Sequence, residues 1–296
     1  MVQLYHRVSR LQSRPIMIPS GVVPSVSGSD IVVHWNAVPT ADSYNVYASI
    51  DGEAWTLLGN EATTSYSFTP TASGEYNFRV TSVRGTQESA PSAETLLDDV
   101  FLFVVNSTQT ISGQFSTSGG SIIVNWGDGT SNTYSGTDQA WSKDYGTTVD
   151  ELVIIDEASK LTKFTMDAAG ADISFDLADL PSKLTYFRCQ GSNTVSGSLA
   201  DLPSGLMTFS CQGSNTVDTY ITKTWTTKPT TFVLVPVAPG GLSETEVNQL
   251  LIDLDQDLDW TTGTITLTGT NAAPTGAGLT AANNMAAEGA SITVNS

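Results

Sequence analysis

The sequence predicts a mostly β protein, with a β-sandwich near its N-terminus and a stack of short parallel strands, followed by a few helices, in its C-terminal half. The stack is predicted by a repeat, because residues 177–195 are nearly copied in residues 199–217, which begin 22 positions later. The sandwich is predicted by alternating apolar segments and turn residues between positions 18 and 98. The helices are predicted by a capping sequence at residues 243–246 and the apolar stripe after it.

Composition and charge exclude several classes of protein. The chain has 296 residues, of which 40% are hydrophobic, so it can bury two or three cores and is not disordered as a whole. Its 30 acidic and 12 basic residues give a formal charge of −18. Such a surface repels nucleic acids and anionic membranes, and we expect neither a nucleic-acid partner nor membrane insertion.

Residues 1–17 form a basic arm with Arg7, Arg10 and Arg14 and no acidic residue. The arm is either a frayed terminus or a partner-anchoring peptide that becomes ordered on an acidic surface. Its charge is opposite to that of the rest of the chain, which favours a contact outside its own body. Met1–Val22 also lacks the apolar core of an export signal, so we expect a protein that is not exported by that route.

Residues 18–98 contain alternating segments typical of short strands, among them residues 31–35, 44–47 and 74–80. Trp35 takes the place of a core tryptophan on the second strand, Tyr76 that of a tyrosine corner, and Ser89–Ser92 that of the last strand. In these features the segment resembles a fibronectin type III domain. The resemblance implies a β-sandwich that acts as a spacer or a binding module.

Residues 99–148 begin with an apolar run and continue through a strand into Trp126–Thr130, with the sequence Trp-Gly-Asp-Gly-Thr. This string resembles the core motif of PKD-type β-sandwich domains, which implies a β-rich segment that caps the stack. Asp128 is expected to bond backbone amides in a tight turn, and this structural role is favoured over calcium binding.

Residues 149–296 are predicted to form the stack, with residues at the same place in successive repeats lying over one another. The period places Phe164 over Phe187 and Met166 over Cys189, and it places Phe232 and Leu234 beyond the second repeat. Further strands are expected at residues 152–155, 264–267 and 291–294. The apolar positions Leu180, Leu184, Phe187 and Cys189 resemble the frame of a leucine-rich-repeat solenoid, with aromatics and cysteine where leucines are usual.

The later part of this segment is predicted to contain two helices, the first starting at the capping sequence and the second spanning about residues 278–287. The first helix has an apolar stripe of Val247, Leu250, Leu251, Leu254 and Leu258. The aspartates between residues 253 and 259 do not form an EF-hand, because Leu258 and Thr264 occupy positions that need glycine and glutamate. We expect these aspartates on the solvated face of the helix.

The two cysteines occupy equivalent places in adjacent repeats, so Cys189 and Cys211 either form a disulfide or stack in a small apolar slot. Neither alternative indicates redox chemistry. Only His6 and His34 accompany these two sulfurs, and no zinc or catalytic cluster is evident. We therefore expect no enzyme activity, no cofactor and no metal.

Aromatic and amide side chains recur along the repeats and are the candidate ligand-binding residues. Aromatic faces pack on sugar C–H surfaces, and amides supply paired donors and acceptors. The alternative, that recurrent amides form ladders inside the stack, is the one that the pattern favours. The candidates are Tyr186, Gln190, Asn193, Gln212, Asn215 and Tyr220.

The combination of basic arm, sandwich modules and degenerate repeat resembles virion proteins of tailed phages. The resemblance implies a non-enzymatic structural protein, a capsid or tail decoration or fibre, made in the host cytoplasm and displayed on the virion surface. Its implied partners are other virion proteins, bound through the N-terminal arm, and host-surface glycans, bound by the stack. The alternative is a bacterial cell-surface adhesin or secreted interaction protein, which the absence of a leader disfavours.

Overall fold

The computed structural model describes residues 15–107, 110–146, 149–167, 172–191, 194–213, 215–225, 227–256 and 259–296. The arginines of the basic arm and Asn193 lie outside these residues. The chain divides into two compact units. The first contains the described residues up to 25 together with Ile31–Phe68 and Tyr76–Leu97, and the second contains Val26–Asp30, Thr69–Glu75 and the described residues from 98 onward. The protein is mostly β, as predicted, and has several sheets.

Two sheets build the first unit, one with the strand order β1-β2-β5 and the other with the order β4-β3-β6-β7, in which β8 also pairs with β6. Apolar side chains at alternating positions, including Ile31, Val33, Val46 and Phe78, are buried. The strands are β1 (Val23–Ser27), β2 (Asp30–His34), β3 (Ser43–Ile50), β4 (Thr56–Glu61), β5 (Ser65–Phe68), β6 (Tyr76–Arg84), β7 (Gln87–Glu88) and β8 (Thr95–Leu96).

Trp35 and Tyr76 are both buried in this unit, at the places where core residues were predicted. The predicted last strand differs from the expectation, because Ser89–Ser92 is irregular and lies between β7 and β8. Pro91 has no N–H to donate to a ladder. The flanking serines compensate, since Ser89 Oγ accepts from Ser82 N and Ser92 Oγ accepts from Val80 N, both at 3.0 Å.

The second unit contains a six-stranded sheet, in the order β12-β11-β14-β9-β16-β18, and an eight-stranded sheet, in the order β13-β10-β15-β17-β19-β20-β21-β22. Its first strands are β9 (Val100–Ser107), β10 (Ile111–Thr117), β11 (Ser121–Asn125), β12 (Ser131–Ser135), β13 (Gln139–Lys143), β14 (Val149–Asp156), β15 (Leu161–Met166) and β16 (Asp172–Asp176). The later strands are β17 (Tyr186–Gly191), β18 (Thr194–Ser196), β19 (Thr208–Gly213), β20 (Thr231–Pro236), β21 (Thr264–Leu267) and β22 (Ser291–Val294).

Within the described residues, β15, β17, β19, β20, β21 and β22 pair in parallel, in the register that the repeat predicts. Phe187 pairs with Phe164 on one side and with Phe209 on the other, and Phe209 pairs with Phe232. All four rings are buried, and successive ring centroids lie 6.1, 5.8 and 5.0 Å apart. Aromatic packing at these distances stabilises the stack beyond simple burial. The predicted strands at residues 264–267 and 291–294 are confirmed.

The strand expected in the stack at residues 152–155 is wrongly placed. These residues belong to β14, which pairs antiparallel with β9 and β11 in the six-stranded sheet. A continuous apolar run is typical of any strand buried on both faces, so it does not distinguish a parallel stack from the centre of an antiparallel sheet. The domain boundary predicted after residue 148 therefore separates β14 from β9 and β11, the strands with which it pairs.

The Trp126–Thr130 segment forms the turn between β11 and β12. Asp128 Oδ1 accepts from Thr130 N at 3.0 Å and from its hydroxyl at 2.6 Å, so the predicted bond to a backbone amide is confirmed. The other carboxylate oxygen pairs with Lys143. Burial alone would raise the pKa of Asp128, but hydrogen bonds from Lys143 and Thr130 outweigh it and hold the pKa below its usual value.

Two short 3-10 helices, Leu177–Asp179 and Leu199–Asp201, occupy equivalent places in the two copies of the repeat. Each begins after a polar side chain that accepts from a backbone N–H two residues on, Asp176 from Ala178 and Ser198 from Ala200. The repeat therefore conserves the shape of its turn although the capping residue changes from aspartate to serine.

The two predicted helices are present as α1 (Glu244–Asp255) and α2 (Gly276–Glu288). The capping box at the start of α1 is confirmed, because Ser243 and Glu246 bond each other's backbone N–H groups. Val247, Leu250, Leu251 and Leu254 are buried as predicted, and Leu258 lies outside the described residues.

The expectation that the aspartates between residues 253 and 259 are solvated is wrong for Asp253, which is only 5% exposed. Its Oδ2 accepts from the Tyr220 hydroxyl at 2.7 Å, the Thr222 hydroxyl at 3.0 Å and Lys223 N at 2.9 Å. Its Oδ1 accepts from Gln249 Nε2 at 2.7 Å. A buried carboxylate is stable only when its lone pairs are satisfied in this way, so Asp253 ties the segment before β20 to α1.

Cys189 and Cys211 are paired in register on β17 and β19, as predicted, and both are buried thiols that form no disulfide. The structure thus has the stacked pair and not the disulfide. Burial, with a smaller contribution from Cys189, raises the pKa of the Cys211 thiol well above its ordinary value. A buried protonated thiol is inert, and its role here is packing.

Candidate ligand-binding face

The parallel strands expose one face of polar side chains. Along β17 the buried residues Phe187 and Cys189 alternate with half-buried Tyr186, Arg188 and Gln190. Alternate side chains point to opposite faces of a sheet, so the second set lies opposite the core. We call this surface the outward face. It consists of Lys163 on β15, Tyr186, Arg188 and Gln190 on β17, Thr208 and Gln212 on β19, Thr231, Val233 and Val235 on β20, Thr264 and Thr266 on β21, and Ser291 and Thr293 on β22. Thr165 on β15 and Ser210 on β19 occupy the same side of the sheet but are buried, with exposed fractions of 2% and 5%.

The register arranges these side chains in straight rows across the strands. One row begins at Lys163 and passes through Tyr186, Thr208 and Thr231 to the later strands. Neighbouring strands are about 4.8 Å apart, so the row from β15 to β22 is about 24 Å long. It therefore presents an aromatic ring and a series of hydroxyl groups at regular intervals.

Tyr186 is the aromatic residue of the outward face, and two cations are its neighbours, one on β15 and one on its own strand. Lys163 Nζ is 4.8 Å from the centroid of its ring, a distance suitable for a cation–π contact. The same ammonium donates to Gln114 Oε1 at 2.8 Å and to Asp138 Oδ1 at 2.6 Å. These contacts hold Lys163 beside the ring instead of leaving it free in solvent.

Arg188 is the second cation, two residues beyond Tyr186 on β17. It forms an ion pair with Asp167, with Nε donating to Oδ1 at 2.9 Å. This hydrogen bond is the main reason why the pKa of Arg188 is raised, so its guanidinium is charged throughout the accessible pH range. A charged planar fork thus lies next to the tyrosine on the same face.

The predicted ligand-binding residues lie in different parts of the stack. Tyr186, Gln190 and Gln212 lie on the outward face, and the two glutamines pair in register on neighbouring strands. Gln212 Nε2 donates to Ser210 Oγ at 3.2 Å, so part of its hydrogen-bonding capacity is used within the face. All three residues lie where a molecule bound to the outward face would contact them.

Asn215 and Tyr220 are instead buried, with exposed fractions of 1% and 2%. Asn215 Nδ2 donates to Gly213 O at 3.3 Å, a hydrogen bond within its own turn. The predicted ladder of amides between repeats stays a prediction, because the equivalent Asn193 lies outside the described residues. Tyr220 donates to Asp253, and burial together with this hydrogen bond raises the pKa of its hydroxyl. Both side chains therefore stabilise the stack and are removed from the ligand-facing set.

Sequence reasoning missed Lys163 and Arg188 as members of the site. The signal was present, because the predicted pairing of Phe164 with Phe187 also places Lys163 beside Tyr186. The sequence did not predict the contacts of Lys163 with Gln114 and Asp138, because these two residues belong to distant segments.

The first unit carries another aromatic and polar cluster on the face of β3, β6 and β7. Arg79 lies between the rings of Trp55 and Tyr47, at 4.3 and 5.3 Å from their centroids. Glu88 Oε1 accepts from Asn45, Tyr47 and Thr81, and these hydrogen bonds lower the pKa of Glu88. Glu88 on β7 thus bonds side chains of both β3 and β6.

In the described part of the chain, no group of three or more His, Cys, Asp and Glu residues is placed to hold a metal ion. Neither described helix is long and apolar enough to span a bilayer.

Comparisons with known proteins give little more than a partial likeness. The chain matches no family model and no curated protein. A solved structure, an Fn3-like protein from Clostridium thermocellum, is similar over 26% of this chain and 86% of its own length, with 32% sequence identity and a TM-score of 0.24.

Proposed function

We propose that this protein is a non-enzymatic structural component of a tailed-phage virion that binds host-surface glycans through the outward face. In this proposal the N-terminal region, including the basic arm with Arg7, Arg10 and Arg14, docks on other virion proteins. The stack of parallel strands is then displayed away from the particle. The protein would be made in the host cytoplasm and carried on the virion surface.

The chemistry around Tyr186 is the observation that carries the glycan-binding part of this proposal. Its half-buried ring shares a face with Gln190, Gln212 and a row of hydroxyl groups. An aromatic face packs on the C–H surface of a sugar, while hydroxyls and amides match its alternating donors and acceptors. Repetition every 4.8 Å or so extends the same chemistry along an oligosaccharide.

The modular part of the proposal depends on the resemblance of particular segments. The two-sheet first unit with buried Trp35 and Tyr76 supports a fibronectin type III-like domain. The Trp126–Thr130 turn supports a PKD-like strand pair, and the parallel strands with the 3-10 turns of residues 177–179 and 199–201 support a leucine-rich-repeat-like solenoid. Such modules are common carriers of binding faces, and fold alone does not choose their ligands.

A glycan-binding experiment tests the function at the level of single residues. The full chain is applied to an array of bacterial surface oligosaccharides, and the best ligand is then titrated by calorimetry. We expect Tyr186→Ala to weaken binding at least tenfold and Tyr186→Phe to keep most of the affinity, because the ring supplies the stacking contact. Thr280→Ala, at an exposed residue of α2 outside the outward face, is the matched control. Equal affinity of all four proteins would refute the assignment of the site.

The virion assignment needs a separate measurement. Mass spectrometry of purified particles and of bacterial cell-surface fractions should find this chain in the particles. Recovery only from the cell surface would replace the proposal with a bacterial adhesin or secreted interaction protein. Release of reducing sugar from capsular polysaccharides by the purified chain would overturn the non-enzymatic assignment.

A further inference from the structure

We propose that the ligand of the outward face is an acidic glycan whose carboxylate binds between Lys163 and Arg188. This inference rests on the proposed glycan-binding function and narrows it to one chemical class. It starts from the charges around Tyr186, which a neutral sugar would not require.

Cations are scarce in this chain, which has 12 basic residues and 30 acidic ones. Lys163 and Arg188 nevertheless lie on adjacent strands and on the same face, both next to Tyr186, with Lys163 across the sheet from it and Arg188 further along β17. A negatively charged protein repels a negatively charged ligand at long range. Two cations close together offset this repulsion at the point of contact once Asp138 and Asp167, their present partners, give way to the ligand.

The spacing of the two cations suits one sugar ring. Lys163 is the in-register neighbour of Tyr186 on the next strand, and Arg188 is two residues further along β17. Residues i and i+2 on one strand are separated by roughly 7 Å. A ring stacked on Tyr186 therefore places a carboxylate substituent within reach of the ammonium or of the guanidinium fork. Arginine binds carboxylates with two parallel hydrogen bonds, which favours the guanidinium as the principal partner.

The present partners of both cations can be exchanged for a ligand. The Asp138 side chain is 65% exposed and that of Asp167 is 33% exposed. Ion pairs with exposed carboxylates contribute little free energy, because water screens them and both side chains must be ordered. Asp138 is held in its turn by its own backbone, whose N–H donates to Ser116 Oγ at 2.9 Å. Its carboxylate can thus swing away without any change in the fold.

Hydroxyl groups on the neighbouring strands favour a sugar over an acidic peptide. Thr208 and Thr231 follow Tyr186 in the same row. They offer donors and acceptors on side chains, whereas an extended peptide needs free backbone groups of an edge strand for its ladder. Tyr186 lies on β17, which has a paired strand on both sides, so its backbone offers no such edge.

The test compares ligands that differ only in charge. The probe is a tetrasaccharide that alternates hexuronic acid and hexosamine, used as the free acid and as its methyl ester, and binding to the full chain is measured by calorimetry at low and high salt. We expect the acid to bind at least tenfold more tightly than the ester, with a preference that shrinks as salt increases. Lys163→Gln and Arg188→Gln should each reduce that preference.

Two further variants separate this mechanism from simple loss of fold. Asp138→Asn and Asp167→Asn remove the competing carboxylates and should strengthen binding of the acid several-fold. Lys183→Gln, at an exposed lysine in the turn before β17, is the matched control and should change nothing. Circular dichroism confirms that each variant is folded.

The outcomes distinguish this inference from the function on which it rests. Equal binding of acid and ester, with loss of both in Tyr186→Ala, would overturn the acidic-ligand inference and leave the glycan-binding function standing. Binding of neither ester nor acid nor any arrayed oligosaccharide would remove both. Binding of a polyglutamate peptide as tightly as the acid, with the same dependence on Arg188, would assign the cations to a protein partner and overturn the glycan.

Discussion

Replacing Asp253 with alanine should destabilise the second unit substantially, because several donors depend on this one carboxylate. The Thr222 hydroxyl is at an exposed residue and can bond water instead, whereas the Tyr220 hydroxyl is buried and Lys223 N is partly buried. A buried donor that loses its partner costs about 1–3 kcal/mol. Two such donors give an expected loss of about 2–6 kcal/mol in the free energy of unfolding.

The measurement is urea unfolding of the full chain followed by circular dichroism, together with hydrogen exchange of the α1 amides. Asp255→Ala is the matched control on the same helix, where the carboxylate accepts from Asn284 Nδ2 at an exposed site, and it should cost under about 0.5 kcal/mol. Asp253→Asn keeps one acceptor oxygen and should fall between the two. If Asp253→Ala unfolds at the same urea concentration as Asp255→Ala, the network does not anchor the helix.

Three further predictions concern the stack and its buried groups. Gly213→Ala should lower the free energy of unfolding by about 1–3 kcal/mol, because φ at this residue is 105°, a value that favours glycine. A Cβ would also lie 2.1 Å from a carbonyl oxygen of the neighbouring strand, which adds to this loss. Gly205→Ala, with open space around it, is the control and should have little effect in the same thermal melts. Both cysteines should resist a thiol reagent at pH 8 in the native chain and react fully in guanidinium, and rapid reaction of native Cys211 would contradict its burial. Burial raises the pKa of Cys211 and of Tyr145, so as the pH rises the unfolded chain loses these protons before the folded chain does. The melting temperature should therefore fall between about pH 9 and pH 11, and a constant melting temperature over that range would refute the predicted direction.

The parallel stack could be predicted from the sequence because its period leaves little choice of register. Once Phe187 lies beside Phe209, the pairing of Cys189 with Cys211 follows, and sheets permit a slip only at the cost of turning the buried side chains outward. The glycine at the end of each strand adds to this constraint, since Gly213 approaches Gly191 too closely for any side chain. Local periodicity and packing thus agree on one arrangement.

Asp253 and Tyr220 could not be assigned correctly, because their environment is made by segments far apart in sequence. An aspartate among other aspartates is usually solvated, and periodicity gives it no reason to be buried. Its burial depends on the segment before β20 crossing α1 and bringing the Tyr220 hydroxyl and Lys223 N to the same oxygen. The same limitation applies to residues 152–155, where apolar content identified a buried strand but not its partners.

The candidate site lies where the repeat meets the antiparallel strands, and this position has a physical reason. A row of identical rungs presents similar hydroxyl side chains at every step, as Thr208, Thr231 and Thr264 do, and such a row favours no particular point along a ligand. At β15 the neighbouring strand is β10, which runs antiparallel and supplies Gln114 from outside the repeat. That junction fixes Lys163 against Tyr186 and makes one end of the face chemically distinct. Recognition of a charged group should therefore be concentrated at this end, with the hydroxyl row extending the contact and the two cations setting its starting point.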